Sequence, residues 1–99
     1  MENETIERHA CLTIQFEGRV QGVGFRFAVA DLATRYPVVG YVRNEYDGSV
    51  RVVAQGEKTV LEAFVQDIYR SHVGGGIRNE HREWSKASGA YRRFEIRYD

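Results

Sequence analysis

Between residues 10 and 36 the chain changes its apolar period, and that change narrows the possible folds more than any other feature. Ala10, Leu12, Ile14 and Phe16 alternate with Cys11, Thr13, Gln15 and Glu17, and a period of two marks a strand with one buried face. Phe25, Ala28, Val29, Leu32, Ala33 and Tyr36 then recur at helical spacing, which aligns them on one side of a helix that Pro37 stops. Between the two patterns lies EGRVQGVGFR, residues 17–26, which contains Gly18, Gly22 and Gly24. Glycine loses more backbone freedom on folding than any other residue, so this cluster predicts a tight turn or a close approach of backbone to something else.

The rest of the chain repeats the two periods. VVGYVRNEYDGSVRVVAQG reads as two strands, about 39–45 and 49–55, hinged on Asp47-Gly48, a strong hairpin signal. A second amphipathic helix runs from Thr59 to Ser71 through Val60, Leu61, Phe64, Val65 and Ile68. The VGGG that follows terminates it, and Gly74, Gly75 and Gly76 are expected to loosen its exit. A weaker strand near 77–84 and a better one, YRRFEIRY, with Phe94, Ile96 and Tyr98 on one face, complete the pattern. The order βαββαβ predicts an α+β, ferredoxin-like sandwich: an antiparallel sheet with both helices on one face and the other face open. Residues 1–9 are expected to be a flexible N-terminal segment and residues 10–99 a single domain, since 99 residues leave no room for a second.

Charge and cysteine content exclude several classes of partner. Fourteen Lys and Arg balance fourteen Asp and Glu, so no overall field draws in nucleic acid or an anionic membrane, and any anion site is local. No run approaches the roughly 20 apolar residues that span a bilayer, and MENETIERHA lacks the apolar stretch of an export signal. Cys11, the one cysteine, permits no internal disulfide and suits a reducing compartment. The expectation is a cytoplasmic protein with neither nucleic acid nor membrane as partner.

A strand, a glycine-rich loop and a helix start are the parts of a phosphate cradle: the glycines turn backbone N–H groups inward and the helix N-terminus adds partial positive charge. No Gly-Lys-Ser/Thr closes the loop, and the glycine spacing of a dinucleotide fingerprint fails. Arg26 supplies a fixed charge whose planar fork can grip two phosphate oxygens. Asn44, just before the hairpin, suits a turn on its own. Arg19 and Arg43 read as solvated or surface-paired charges. His9, His72 and His81 are far apart and lack a metal-ligand spacing, and Cys11 has no neighbouring base, so neither a metal nor a covalent route is indicated.

The segments GRVQGVGFR at 18–26, GYVRNEYDGSV at 40–50 and FEIRY at 94–98 resemble the acylphosphatase family, and the resemblance covers about residues 10–98. It implies metal-independent hydrolysis of the carboxyl–phosphate bond of acyl phosphates to a carboxylate and inorganic phosphate, with no cofactor. Arg26 would be the phosphate-binding catalytic arginine and Asn44 the residue that holds the attacking water. The cradle would be formed by Gln21, Gly22, Val23, Gly24 and Phe25 together with Arg26. The implied partner is a small-molecule acyl phosphate, with inorganic phosphate or sulfate competing, and a monomer is expected. Three positions depart from the family's pattern: Tyr41 stands where tryptophan is common, VGGG replaces a Gly-Pro turn, and Asp99 follows the usual terminal tyrosine, which bears on whether a terminal carboxylate reaches Arg26.

Alternatives from other classes share the fold. An RNA-binding module needs stacking aromatics on the open sheet face, where strand one offers Cys11, Thr13 and Gln15 and strand three Arg51, Val53 and Gln55. A non-catalytic anion sensor would keep Arg26 and the cradle but has no use for Asn44. A carbamoyl-phosphate-handling domain, known within larger proteins, is a related possibility.

Overall fold

A computed structural model describes residues 9–98. Residues 1–8 of the expected N-terminal segment and Asp99 lie outside the described residues, while His9 is already the first residue of β1 (His9–Gly18). The elements that follow are α1 (Phe25–Ala33), β2 (Val39–Asn44), β3 (Val50–Glu57), α2 (Lys58–Arg70), a short 3-10 turn (Gly74–Gly76), β4 (Ile77–Lys86) and β5 (Phe94–Arg97). The strands form one sheet in the order β4-β1-β3-β2-β5. This is the expected α+β ferredoxin-like sandwich. Four strands pair antiparallel, and β5 joins the edge parallel to β2, so the complete sheet is mixed.

The alternation seen in the sequence sorts the side chains. Leu12, Ile14 and Phe16 of β1, Val42 of β2 and Val50, Val52 and Ala54 of β3 are buried beneath Phe25, Val29 and Leu32 of α1 and Leu61, Phe64, Val65 and Ile68 of α2. At about 25 cal/mol per Å² of apolar surface removed from water, this layer supplies the main favourable term of folding. Helix α1 ends at Ala33, three residues before the periodicity runs out. The N–H groups of Thr34, Arg35 and Tyr36 turn to carbonyls three residues back, on Asp31, Leu32 and Ala33, which tightens the exit. Tyr36 still packs inward, its ring 5.8 Å from that of Phe64.

The face opposite the helices is not left open. Because β4 and β5 occupy opposite edges, residues 87–93 must cross the whole sheet to join them. On this second face Tyr91 packs against a small cluster of Cys11, Tyr41 and Val53. Gln55, only 6% exposed, is matched by Ser88, whose N–H donates to Gln55 Oε1 at 3.0 Å and whose Oγ accepts from Gln55 Nε2 at 3.2 Å. No helix among the described residues is long and apolar enough to cross a membrane.

Candidate active site

The loop after β1 has a closed base and an open tip. At the base, Arg19 N–H donates to the carbonyl of Gly76 at 2.9 Å, and Val20 is fully buried. A Cβ on Gly18 would stand 2.4 Å from the same carbonyl oxygen, so this glycine permits close packing. At the tip, Gly22 and Gly24 have φ of 74° and 82°, the left-handed region that other residues enter at a cost. A Cβ there would meet nothing within 4 Å. These two glycines therefore serve conformation, and the space in front of them is clear.

Gly24 is the N-cap of α1 and brings no side-chain cap. Its carbonyl takes the first helical bond, from Ala28 N–H at 3.0 Å. Among the described residues, the backbone N–H groups from Gln21 to Phe27 meet no protein acceptor. A run of donors at the positive end of a helix, exposed at Gly22, Val23 and Gly24, has the chemistry to receive an anion.

A side chain whose role the sequence did not disclose locks this loop to the β2–β3 turn. Gln21 Nε2 donates to the carbonyls of Glu45 and Ser49, each at 2.8 Å. The turn is itself fixed by Asp47, whose Oδ1 accepts from Ser49 N–H at 2.9 Å and from Ser49 Oγ at 2.5 Å. Its Oδ2 accepts from Gln15 Nε2 at 3.1 Å. The bonds from Ser49, side chain first, hold the Asp47 carboxyl below its ordinary value. The pairs that join Gln15 and Gln21 to this turn lie 24 to 34 positions apart, so no local pattern announces them.

Asn44 is the last residue of β2, opposite Val50 of β3, and so stands one residue from Gln21's anchor at Glu45. With Arg43, Glu45, Tyr46 and Tyr98 it lines a pocket of about 370 Å³. Tyr98 also lies under Arg26, with the guanidinium carbon 4.7 Å from the ring centroid. Arg26, in the first turn of α1, and Asn44, at the end of β2, thus both border Tyr98. Gln21, Gly22, Val23, Gly24 and Phe25, the residues expected to form a cradle, lead directly into Arg26. Phe25 turns its side chain into the core, 5.4 Å from Phe16 between ring centroids, and so pins the helix start.

Of the remaining charged, histidine and cysteine residues, Arg43 borders the Asn44 pocket and the others lie elsewhere. Cys11 is buried on the second face, and His81 faces Glu17 at 3.5 Å on the β4 side. Arg43 is held by Glu45 at 2.8 Å, while Arg19 is exposed. No group of three or more His, Cys, Asp or Glu among the described residues could hold a metal ion. The second face does carry aromatics, Tyr41 and Tyr91, but Tyr41 is only 7% exposed and offers no stacking platform. Gly74 and Gly76 also differ from expectation. A Cβ would stand 1.9 Å from the Tyr69 carbonyl oxygen at Gly74 and 2.2 Å from that of Arg19 at Gly76, so this run tightens the exit of α2.

Comparison with known proteins agrees with this fold. The family model described as Acylphosphatase matches residues 12–96. The acylphosphatase of Salinibacter ruber is 37% identical over 97 residues, which span 98% of this chain and 99% of its own. The crystal structure of acylphosphatase from Bacillus subtilis aligns with a TM-score of 0.82 at 32% identity, over 90% of this chain and 99% of that one. The crystal structure of full-length HypF in its phosphate- and nucleotide-bound form aligns with a TM-score of 0.81 at 27% identity. That match covers 92% of this chain but 12% of HypF.

Proposed function

This chain belongs to the acylphosphatase family, and from that premise we propose that it hydrolyses acyl phosphates to a carboxylate and inorganic phosphate without a metal, through Arg26, Asn44 and the loop amides. The observation that carries the assignment of roles is the run of unpartnered N–H groups from Gln21 to Phe27, which leads into Arg26 and is tied by Gln21 to the strand end that bears Asn44.

Three phosphoryl oxygens need positive charge and donors fixed in advance, and the cradle amides with the Arg26 fork supply both. The Asn44 carboxamide accepts a hydrogen bond from water and holds it for attack on phosphorus. As the water oxygen bonds to phosphorus, the bond from phosphorus to the acyl oxygen breaks. The carboxylate leaves with the bonding pair, and the proton shed by water passes to the phosphate product or to solvent. A carboxylate is a stable leaving group, so no general acid is needed, and positioning with charge stabilisation accounts for the rate. The lone buried Cys11 suits the cytoplasm, and the absence of an overall charge favours free small molecules over nucleic acid or membrane as partners, with inorganic phosphate or sulfate competing for the cradle.

Phosphate release from benzoyl phosphate by the purified protein in excess chelator tests the reading. Turnover that persists, with inorganic phosphate as a competitive inhibitor, is expected, whereas turnover that disappears and returns with magnesium contradicts the metal-free route. Asn44→Ala separates enzyme from anion sensor. It should lose about 100-fold in kcat with phosphate inhibition and thermal midpoint nearly unchanged, while a sensor would bind phosphate in either form and turn over nothing.

A further inference from the structure

The register of the sheet sets three arginines side by side on the face that carries Tyr41, with Arg43 also reaching the edge of the Asn44 pocket. Arg51 of β3 pairs with Arg43 of β2, and Arg43 with Arg97 of β5, so their stems cross three adjacent strands at one level, roughly 5 Å apart from strand to strand. Like charges in directly opposed positions destabilise a sheet. The carboxylates present are shared: Glu45 lies 2.8 Å from Arg43 and 3.9 Å from Arg51, and Glu95 lies 3.4 Å from Arg97 and 3.6 Å from Arg93. Arg51 Nε is shielded from solvent and meets no hydrogen-bond partner among the described residues.

Beside this row is a pocket of about 440 Å³ lined by Ala90, Tyr91, Arg92, Arg93, Glu95 and Arg97, three cations to one anion, in a chain whose total formal charge is zero. Arg97 is not a loose surface side chain. Its guanidinium carbon lies 4.3 Å from the Tyr41 ring centroid and 5.6 Å from that of Tyr91, which fixes the plane of the fork and lowers the entropy lost when it binds. A fixed fork, a pocket and a local excess of positive charge beside a row of opposed arginines call for an anion bearing several adjacent charges.

We propose that this pocket and the Arg51–Arg43–Arg97 row form a second anion site, separate from the cradle, that binds a diphosphate group, either free or carried by a nucleotide. Its volume suits a ligand of that size. One negative charge would answer only one arginine, whereas two linked phosphates can span adjacent strands. Tyr41 is too deeply covered for bases to stack on it, which favours a small anion over an RNA strand.

Titration of the full chain with pyrophosphate, ADP and orthophosphate, read by NMR of the arginine Nε–Hε signals in about 0.15 M salt, tests the site. Shifts at Arg51 and Arg97 with pyrophosphate or ADP, persisting in Arg26→Ala and weakened about tenfold or more in Arg97→Gln, are expected. Tighter binding of ADP than of pyrophosphate identifies a nucleotide ligand, and equal binding identifies the free diphosphate. Should Arg97→Gln not fold, the exposed Arg93→Gln carries the same test. The proposal is overturned if the shifts vanish with Arg26→Ala, if orthophosphate binds as well as pyrophosphate, if no binding survives at this salt, or if an RNA oligonucleotide binds more tightly than either ligand.

Discussion

At Gly22 and Gly24 nothing lies within 4 Å of the place a Cβ would take, whereas at Gly74 and Gly76 that atom would stand 1.9 and 2.2 Å from a backbone carbonyl oxygen. The two segments are neighbours, joined by the bond from Arg19 N–H to Gly76, and read alike as strings of glycine. Gly74 and Gly76 are small so that backbone can pack on backbone. Gly22 and Gly24 take left-handed backbone so that N–H groups face open space. The first use serves stability, and the second serves the anion site proposed above.

The largest effect is expected where the open segment ends. Arg26→Lys keeps the charge but loses the planar fork, and kcat/KM should fall about 1000-fold, near 4 kcal/mol of transition-state stabilisation, with the thermal midpoint almost unchanged. Near-full activity in that variant would make Arg26 a structural residue and remove the functional half of the contrast.

Next in size is Gly74→Ala, which must displace the Tyr69 backbone. It should cost about 3 kcal/mol or more, seen as a fall in thermal midpoint of about 12 °C or more, while kcat per folded molecule holds. Gly22→Ala should cost about 1–2 kcal/mol from left-handed strain alone but raise the inhibition constant for phosphate. If the two alanine variants lose the same stability and neither affects phosphate inhibition, the segments do not differ as described.

The smallest effect concerns the turn that Gln21 holds. Asp47 is acceptor to Ser49 and Gln15, and its folded pKa lies below the ordinary 3.8. A depressed carboxylate pKa contributes stability that is present above the ordinary value and lost as pH falls through the folded one. Asp47→Asn should therefore lower the thermal midpoint slightly at neutral pH, and the gap to the parent should close below about pH 4. A gap that stays constant with pH would show that the turn depends on shape alone.

How much of this was legible in the sequence follows from the range of each interaction. The strands and helices rest on periods of two and 3.6, which are local, and they were read within a few residues. The end of α1 was missed because the turn at Thr34 to Tyr36 keeps the helical spacing of Tyr36 while changing its hydrogen bonds. The crossing of residues 87–93 was missed because only the placement of β4 and β5 at opposite edges demands it. At the proposed site, the motifs point to Arg26 and Asn44, but the grip of Gln21 on Glu45 and Ser49 and the stacking of Arg26 on Tyr98 join distant parts of the chain. The glycines of 74–76 were read as a loosening because composition does not distinguish open space from a close backbone contact.

The proposed mechanism requires that the unpartnered N–H groups of Gln21 to Phe27 receive phosphate. Backbone amide NMR of the ¹⁵N-labelled protein titrated with inorganic phosphate measures this directly. Shifts concentrated at residues 21–27, saturating at the concentration that inhibits hydrolysis and leaving Gly74 to Ile77 nearly still, are the predicted result. Saturable shifts that spare residues 21–27, or inhibition without them, would contradict it.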